Sequence, residues 1–181
     1  MMEKKLPQTI QIHEHLCLER LNEQHAADLF QHIDQHRDYL SQFLHWPRFT
    51  QHIGDYEQYI QRTQQEYAQG ISCTWAIISH QHAVGAMSFN APIDWQNKRA
   101  MFGYWLSPVA QGQGMISQAV QALIQATQPD VQHFIIKCAV HNERSNAVAL
   151  RLGFQWCECL LQAEKIGEQM YDVNVYELHT N

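Results

Sequence analysis

Two glycines on either side of a glutamine, Gly112-Gln113-Gly114, directly precede an amphipathic helical pattern, and such an arrangement can bind a phosphate group. Glycine lets the backbone turn sharply and approach a ligand, and the first N–H groups of a helix have no partner inside it. The helix dipole adds a partial positive charge at the same end without any lysine or arginine. The spacing indicates an anion cradle made of backbone amides.

This signal is weak by itself, because a Gly-x-Gly turn before a helix also ends strands for purely steric reasons. The loop is not a Walker loop, since no Gly-Lys-Ser/Thr follows to hold phosphates and magnesium. It is not a dinucleotide-binding fingerprint either, because the third glycine and a suitable acidic residue for the ribose are missing. The residues around the loop must therefore decide what it binds.

A strand, a helix and a second strand surround the loop. Residues 99–107 have β-prone side chains and stop at Pro108, and the helix runs from Met115 to the Gln128-Pro129 pair. Residues 133–140 form an almost continuous apolar run, which is typical of a buried central strand. In this order the two strands are predicted to be parallel or splayed parallel neighbours.

The rest of the chain divides between helices and antiparallel strands. Apolar spacing predicts helices at residues 23–35, 37–40, 53–68 and 142–153. Alternation predicts one bent strand or a pair of strands over 10–21, a hairpin of 71–80 with 83–90, and final strands at 154–164 and 169–178.

The composition excludes several classes of protein. With 181 residues and 45% hydrophobic residues, the chain is predicted to be one soluble domain over residues 1–181. It contains no apolar run long enough for a membrane span and no signal-peptide pattern, so the cytoplasm is expected. A net charge of −6, with basic pairs only at Lys4-Lys5 and Lys98-Arg99, argues against binding nucleic acid.

Neither the twelve histidines nor the five cysteines form a metal-ligand pattern. His13 and His15 are expected to share one face of a strand, but no third ligand accompanies them, so no metal site is predicted. Cys157 and Cys159 lack a second pair, and all five cysteines are expected to be buried reduced thiols.

Joined together, the motifs resemble the GNAT family of acetyl-CoA-dependent N-acetyltransferases. The resemblance covers almost the whole chain and rests on Gly103-Tyr104-Trp105-Leu106, on Gln111-Gly112-Gln113-Gly114, and on the block from Asn142 to Phe154. Cys138, Gln162-Ala163-Glu164 and Tyr171-Asp172-Val173-Asn174 are similar to the RimL-type, ribosomal-protein-serine branch. The resemblance implies an α/β (α+β) GNAT fold: a twisted mixed sheet of about six to seven strands, with splayed central parallel strands flanked by helices.

The resemblance also implies a binding slot for acetyl-CoA, with no metal. Leu106 and Val109 would present backbone groups to the pantetheine arm, and Asn142 and Asn146 would face the cofactor from the other strand. The pyrophosphate would lie on the amides of Gln111, Gly112, Gln113, Gly114, Met115 and Ile116. The family pattern has a small residue at the position of Ile116. The larger isoleucine side chain is expected to be tolerated if it points into the core.

For catalysis, many relatives carry a glutamate two residues before the Gly-Tyr-Trp, where this chain has Met101. The resemblance instead implies Glu164 as general base and Ser145 as the group that protonates the departing thiolate. From the residues alone, Glu164 is equally an ordinary exposed carboxylate at a strand end. Cys138 offers a second mechanism, in which the thiol takes the acetyl group first, but no adjacent base is evident.

The implied acceptor is the N-terminal α-amine of a protein, in particular a ribosomal protein. Such an amine titrates near about 8, so roughly a tenth is neutral at pH 7, against a few in ten thousand for lysine. A carboxylate base is therefore adequate for an α-amine. Two alternatives stay open: a small amine such as a polyamine, amino acid or drug, and a non-catalytic acyl-CoA-binding module. The last two strands are also expected to offer a homodimer surface.

Overall fold

In the computed structural model, which describes residues 6–180, one eight-stranded mixed sheet runs through the chain in the order β1-β2-β3-β4-β5-β6-β8-β7. Lys4 and Lys5 lie outside the described residues. The strands are β1 Thr9–His13, β2 Leu16–Arg20, β3 Cys73–Ser79, β4 His82–Phe89, β5 Arg99–Leu106, β6 His133–Ala139, β7 Gln155–Ile166 and β8 Gln169–His179. The α-helices are α1 Ala26–Gln35, α2 Arg37–Leu40, α3 Ile53–Ala68, α4 Met115–Thr127 and α5 Glu143–Arg151.

The sheet has eight strands, more than the predicted six to seven, because β1 and β2 form a separate antiparallel pair. A tight turn at Glu14 and His15 joins them. The expectation that His13 and His15 share a strand face is therefore wrong: His13 ends β1, while His15 lies in the turn and stacks on His80 with ring centroids 4.7 Å apart.

The predicted splaying of the two central parallel strands is confirmed by the register. β5 and β6 pair only from Arg99 opposite His133 to Phe102 opposite Ile136. Beyond that point β5 continues to Leu106 against β4, and β6 continues to Ala139 against β8. The sheet therefore opens into a V between residues 103–106 and 137–139.

Helices cover both faces of this sheet. One face packs the apolar side of α4 against aromatic residues of the strands, among them the fully buried Trp75 that was predicted to be core. The other face packs α1 and α3 against small side chains, Ala76 and Ala86, and against Trp105. Small residues let α1 and α3 approach the sheet closely, whereas the larger aromatic side chains on the other face fill the space between the sheet and α4.

The cysteines follow the sheet position of their strands. Cys73 and Cys138 are buried on inner strands, but Cys157 and Cys159 are exposed, so the expectation of buried thiols is wrong for this pair. The reason is that β7 is an edge strand with little covering either face. Its outer edge has no partner strand among residues 6–180, and the homodimer surface expected there stays a prediction. Over the same range, no helix is long and apolar enough to cross a membrane.

Candidate active site

Two clefts open on either side of the splayed strands. The smaller, which we call the loop cleft, has a volume of about 400 Å³ and lies against Gly112, Gly114 and the start of α4. The larger, the carboxylate cleft, has a volume of about 960 Å³ and is lined by Glu164 and Cys138 together with residues of α3. The clefts share a wall made of Phe43, Leu44, Tyr104, Trp105, Asn142 and Ser145.

The loop cleft is built from backbone, as the glycine spacing predicts. Gly112 and Gly114 both adopt left-handed conformations, with φ of +82° and +74°. Gly114 is the N-cap of α4, and its carbonyl accepts the first helical hydrogen bond from Gln118 at 3.0 Å, with no side chain capping this end within the described chain. The first-turn amides are therefore available to an anion. Ile116 packs partly buried against the core, so its size is accommodated there.

Gln111 closes one side of the loop cleft through its side chain. Its amide nitrogen donates to the carbonyl of Leu106 at 3.0 Å, and its amide oxygen accepts from the hydroxyl of Tyr39 at 3.0 Å. The Tyr39 hydroxyl in turn accepts from Arg144 at 3.3 Å. This chain of bonds joins β5, α2 and α5 across the mouth of the cleft. Val109 is 65% exposed and lines neither cleft, so its backbone contact with the pantetheine arm stays a prediction.

Two arginines bring positive charge to the loop cleft, which the loop sequence by itself does not contain. Arg151 donates to the hydroxyl of Ser117 in the first turn of α4 at 3.1 Å, and Arg144 lines the same cleft. Both residues lie on α5, seven positions apart, so they share a helix face. That spacing is the sequence signal that could have identified them.

Ser145 lies on the wall shared by the two clefts. It is only 8% exposed, and its backbone N–H is capped by the side-chain oxygen of Asn142 at 3.3 Å, as the N-cap prediction requires. Its hydroxyl is hydrogen-bonded to the hydroxyl of Tyr104 at 2.8 Å. Burial raises the pKa of Tyr104, so its phenol stays protonated. Tyr104 is a site residue that sequence reasoning missed, although it lies in the predicted Gly-Tyr-Trp strand.

Asn146 makes its hydrogen bonds inside the protein. Its amide nitrogen donates to the carbonyls of Ala139 and Asn142, at 3.1 and 2.8 Å, and its oxygen accepts from Asn174 and Tyr176, at 2.8 and 2.7 Å. The side chain ties α5 to β6 and β8 and lines neither cleft. A direct cofactor contact by Asn146 stays a prediction, as does one by Gln113, whose carbonyl accepts from Gln118 at 3.3 Å.

A bulge in β7 positions Glu164. Leu160 pairs with Val173 and Glu164 pairs with Tyr171, so three residues of β7 lie opposite Asp172 alone. At the centre of this bulge Gln162 has φ of +46°, and its N–H donates to the Asp172 carboxylate at 2.8 Å. The bulge turns the half-buried Glu164 into the carboxylate cleft. Burial raises the pKa of Glu164, and nearby His141 partly opposes that rise.

Cys138 lies in the same cleft but as a protonated thiol. Burial raises its pKa to about 11, the hydrogen bond with Ser145 lowers it, and the Glu164 carboxylate adds to the rise. A thiol with this pKa is almost entirely protonated at pH 7 and is a poor nucleophile. The arrangement therefore favours a proton acceptor at Glu164 in the carboxylate cleft and hydroxyl donors at Ser145 and Tyr104 on the wall that this cleft shares with the loop cleft.

Comparison with known proteins gives consistent results. Residues 15–155 match the model of the acetyltransferase (GNAT) domain. The ribosomal-protein-serine acetyltransferase of Escherichia coli K12 is 40% identical over 173 residues, which are 94% of this chain and 96% of that protein.

Two solved structures share the fold closely. The ribosomal L7/L12 alpha-N-protein acetyltransferase RimL, in complex with coenzyme A as a cysteine disulfide, superposes with a TM-score of 0.90 at 34% identity, covering 94% and 97% of the two chains. The microcin C7 self-immunity acetyltransferase MccE, in complex with acetyl-CoA and AMP, gives 0.92 at 31% identity, covering 96% and 97%. With its splayed sheet, its glycine cradle and these matches, the chain belongs to the GNAT family of acetyltransferases, which confirms the resemblance read from its motifs.

Proposed function

We propose that this protein transfers an acetyl group from acetyl-CoA to the N-terminal α-amine of a ribosomal protein. The observation that carries the proposal is the placement of Glu164 in one cleft and the amide cradle in the other, with Ser145 and Tyr104 on the wall between them. The choice of acceptor is supported by the 40% identity to the ribosomal-protein-serine acetyltransferase over 94% of the chain.

The loop cleft suits acetyl-CoA. A Cβ at Gly112 would meet nothing within 4 Å, so space is left at the turn, and the uncapped amides of α4 suit a pyrophosphate. Arg144 and Arg151 add charge-assisted donors for phosphate oxygens. When bound, acetyl-CoA supplies an acetyl group already activated as a thioester. Residues 103–106 pair with β4 on one edge and not with β6 on the other, and this free edge would hold the pantetheine arm in the V of the sheet.

Glu164 would take the proton from the attacking amine. Its raised pKa lies closer to that of an α-amine than the pKa of an exposed glutamate does, which makes it the stronger base. Ser145 would give a proton to the departing sulfur, and the Tyr104 hydroxyl, 2.8 Å from the serine hydroxyl, would orient it. Cys138 would remain a protonated bystander on the wall of the carboxylate cleft.

A small amine is the second candidate acceptor, and one observation favours it. The TM-score of 0.92 to MccE, a protein solved with acetyl-CoA and AMP, is as high as the score to RimL. The carboxylate cleft has room for either acceptor, with polar groups from Asp55 and Arg62 of α3 along its wall.

A competition between acceptors tests the proposal. Purified protein and acetyl-CoA are incubated with peptides that copy the N-termini of ribosomal proteins, with the same peptides formylated at the α-amine, and with a panel of polyamines, amino acids and aminoacyl nucleotides. We expect thiol release and a mass increase of one acetyl group only on peptides with a free α-amine. Turnover on the blocked peptides through lysine, or only on the small amines, would overturn the choice of acceptor.

A further inference from the structure

Three potential metal ligands meet at the end of the sheet opposite the splay. His133 opens β6, and its register partner in β8 is His179. Glu177 lies two residues before His179 and therefore on the same face of β8. His133 and Glu177 are about a quarter exposed or less, whereas the His179 side chain is 69% exposed.

The spacing of the ligand atoms is close to that of a tetrahedral zinc site. Nε2 of His133 lies 3.1 Å from Oε2 of Glu177, and Nε2 of His179 lies 3.7 Å from the same oxygen. One ligand atom from each of the three residues falls within 4.8 Å of the other two. Zinc bonds of about 2.0–2.2 Å at tetrahedral angles place ligand atoms roughly 3.3–3.6 Å apart. The two imidazole rings are stacked 4.0 Å apart, so the exposed His179 must turn its ring for both nitrogens to point at one ion.

The surroundings of His133 also point to a ligand. Its Nε2 is buried and makes no hydrogen bond of acceptable geometry, although the Glu177 carboxylate is near. The other oxygen of Glu177 lies 3.7 Å from the Arg99 guanidinium, which orients the carboxylate and leaves Oε2 for the histidines.

We propose that His133, Glu177 and His179 bind a Zn²⁺ ion, with water as the fourth ligand, and that this ion clips the start of β6 to the end of β8. Imidazole and carboxylate ligands suit zinc, and the open fourth position faces solvent beside His179. His133 lies about 16 Å from Cys138 along β6, at roughly 3.3 Å per residue. The ion would therefore stabilise the sheet and take no part in acetyl transfer.

Zinc titration of untagged protein, followed by calorimetry and by equilibrium dialysis, tests this proposal. We expect one equivalent of Zn²⁺ to bind and to raise the melting temperature. His179→Gln and Glu177→Gln should each weaken binding at least tenfold and remove the rise in melting temperature. Because His179 is exposed, its substitution leaves the fold intact, which circular dichroism verifies.

A second stacked histidine pair provides a matched control for a chain with twelve histidines. His80 stacks on His15 beside Glu14, whose carboxylate is 3.9 Å from His15, but these residues do not form a three-ligand group. His80→Gln should bind zinc like the unsubstituted protein. The proposal is overturned if no stoichiometric binding occurs, or if His80→Gln weakens binding as much as His179→Gln does.

Discussion

The two clefts that meet at Ser145 differ in whether backbone or side-chain groups form their binding surface. Besides Arg144 and Arg151, the loop cleft presents backbone amides of a glycine turn and a helix end, whereas the carboxylate cleft presents the side chains of Glu164 and Cys138. Backbone amides are fixed in position once the fold forms, and their dipoles do not change with pH because they do not titrate. The reactivity of side chains in a half-buried cleft instead depends on their pKa values, which burial shifts, and on how neighbouring residues hold them in position. The comparison predicts that single side-chain changes affect turnover far more in the carboxylate cleft than in the loop cleft.

The largest expected effect comes from Glu164→Gln. Loss of the general base should lower kcat/KM by about 10²–10⁴, the usual contribution of a positioned base. Affinity for CoA should stay unchanged, because Glu164 lies outside the loop cleft. Steady-state kinetics together with calorimetry of CoA binding measure the two quantities separately. Unchanged turnover would show that Glu164 is not the general base. A loss of CoA affinity in the same variant would contradict the assignment of CoA binding to the loop cleft alone.

Ser145→Ala should have the next largest effect. A hydrogen bond to a charged group contributes about 1.5–3 kcal/mol, so kcat should fall about 10- to 100-fold if Ser145 serves the departing thiolate. Tyr104→Phe is the matched variant, because it removes the other hydroxyl of the 2.8 Å pair. If Tyr104 only orients the serine, kcat should fall less in Tyr104→Phe than in Ser145→Ala. An equal or greater loss would assign the donor role to the tyrosine.

Gly114→Ala tests the loop cleft through its backbone. Strain of about 1–3 kcal/mol is expected for a side chain held at φ of +74°, and relief of that strain would move the helix end. CoA should therefore bind roughly tenfold more weakly. Gln113→Ala in the same loop is the control and should bind CoA normally if only its backbone matters. Calorimetry of CoA binding with both variants gives the comparison.

Asp172 connects the bulge of β7 to the carboxylate cleft. Asp172→Ala removes the acceptor of the Gln162 N–H and should lower kcat several-fold by releasing Glu164 from its position. Asp172→Asn keeps an acceptor oxygen and should restore most of the activity. Equal losses in the two variants would mean that the charge, and not the hydrogen bond, is what Asp172 contributes.

The smallest effect is on stability. A carboxyl group whose pKa is raised by folding holds its proton more tightly in the folded state, so the folded state loses stability as pH rises through the two pKa values. Glu164→Gln cannot ionise and escapes that loss. The variant should melt slightly above the unsubstituted protein at pH 7, and the difference should vanish below the ordinary glutamate pKa of 4.5. A variant that is less stable at pH 7 would contradict the burial of this carboxylate.

Sequence reasoning predicted the strand–helix–strand unit well, because periodicity and glycine positions are local properties. Gly112, Gly114 and Asn142 behave as their spacing requires. Features that depend on distant pairing were not visible from the sequence. Tyr104 meets Ser145 only because the fold brings β5 next to the first turn of α5, and the β7 bulge depends on its register with Asp172. The same applies to His133 and His179, which only the β6–β8 register brings together.

The short pairing of β5 with β6 has a consequence for hydrogen exchange. Only four residue pairs hold the two halves of the sheet together, and beyond Phe102 and Ile136 the amides that face the gap have no strand opposite them. Such amides should exchange with deuterium far faster than those of the paired stretch, even though they lie in the middle of the chain's largest structural element. A ligand that fills the V would slow the exchange of these amides selectively, so the protection of the gap-facing amides within residues 103–106 reports occupancy of the V directly, without turnover.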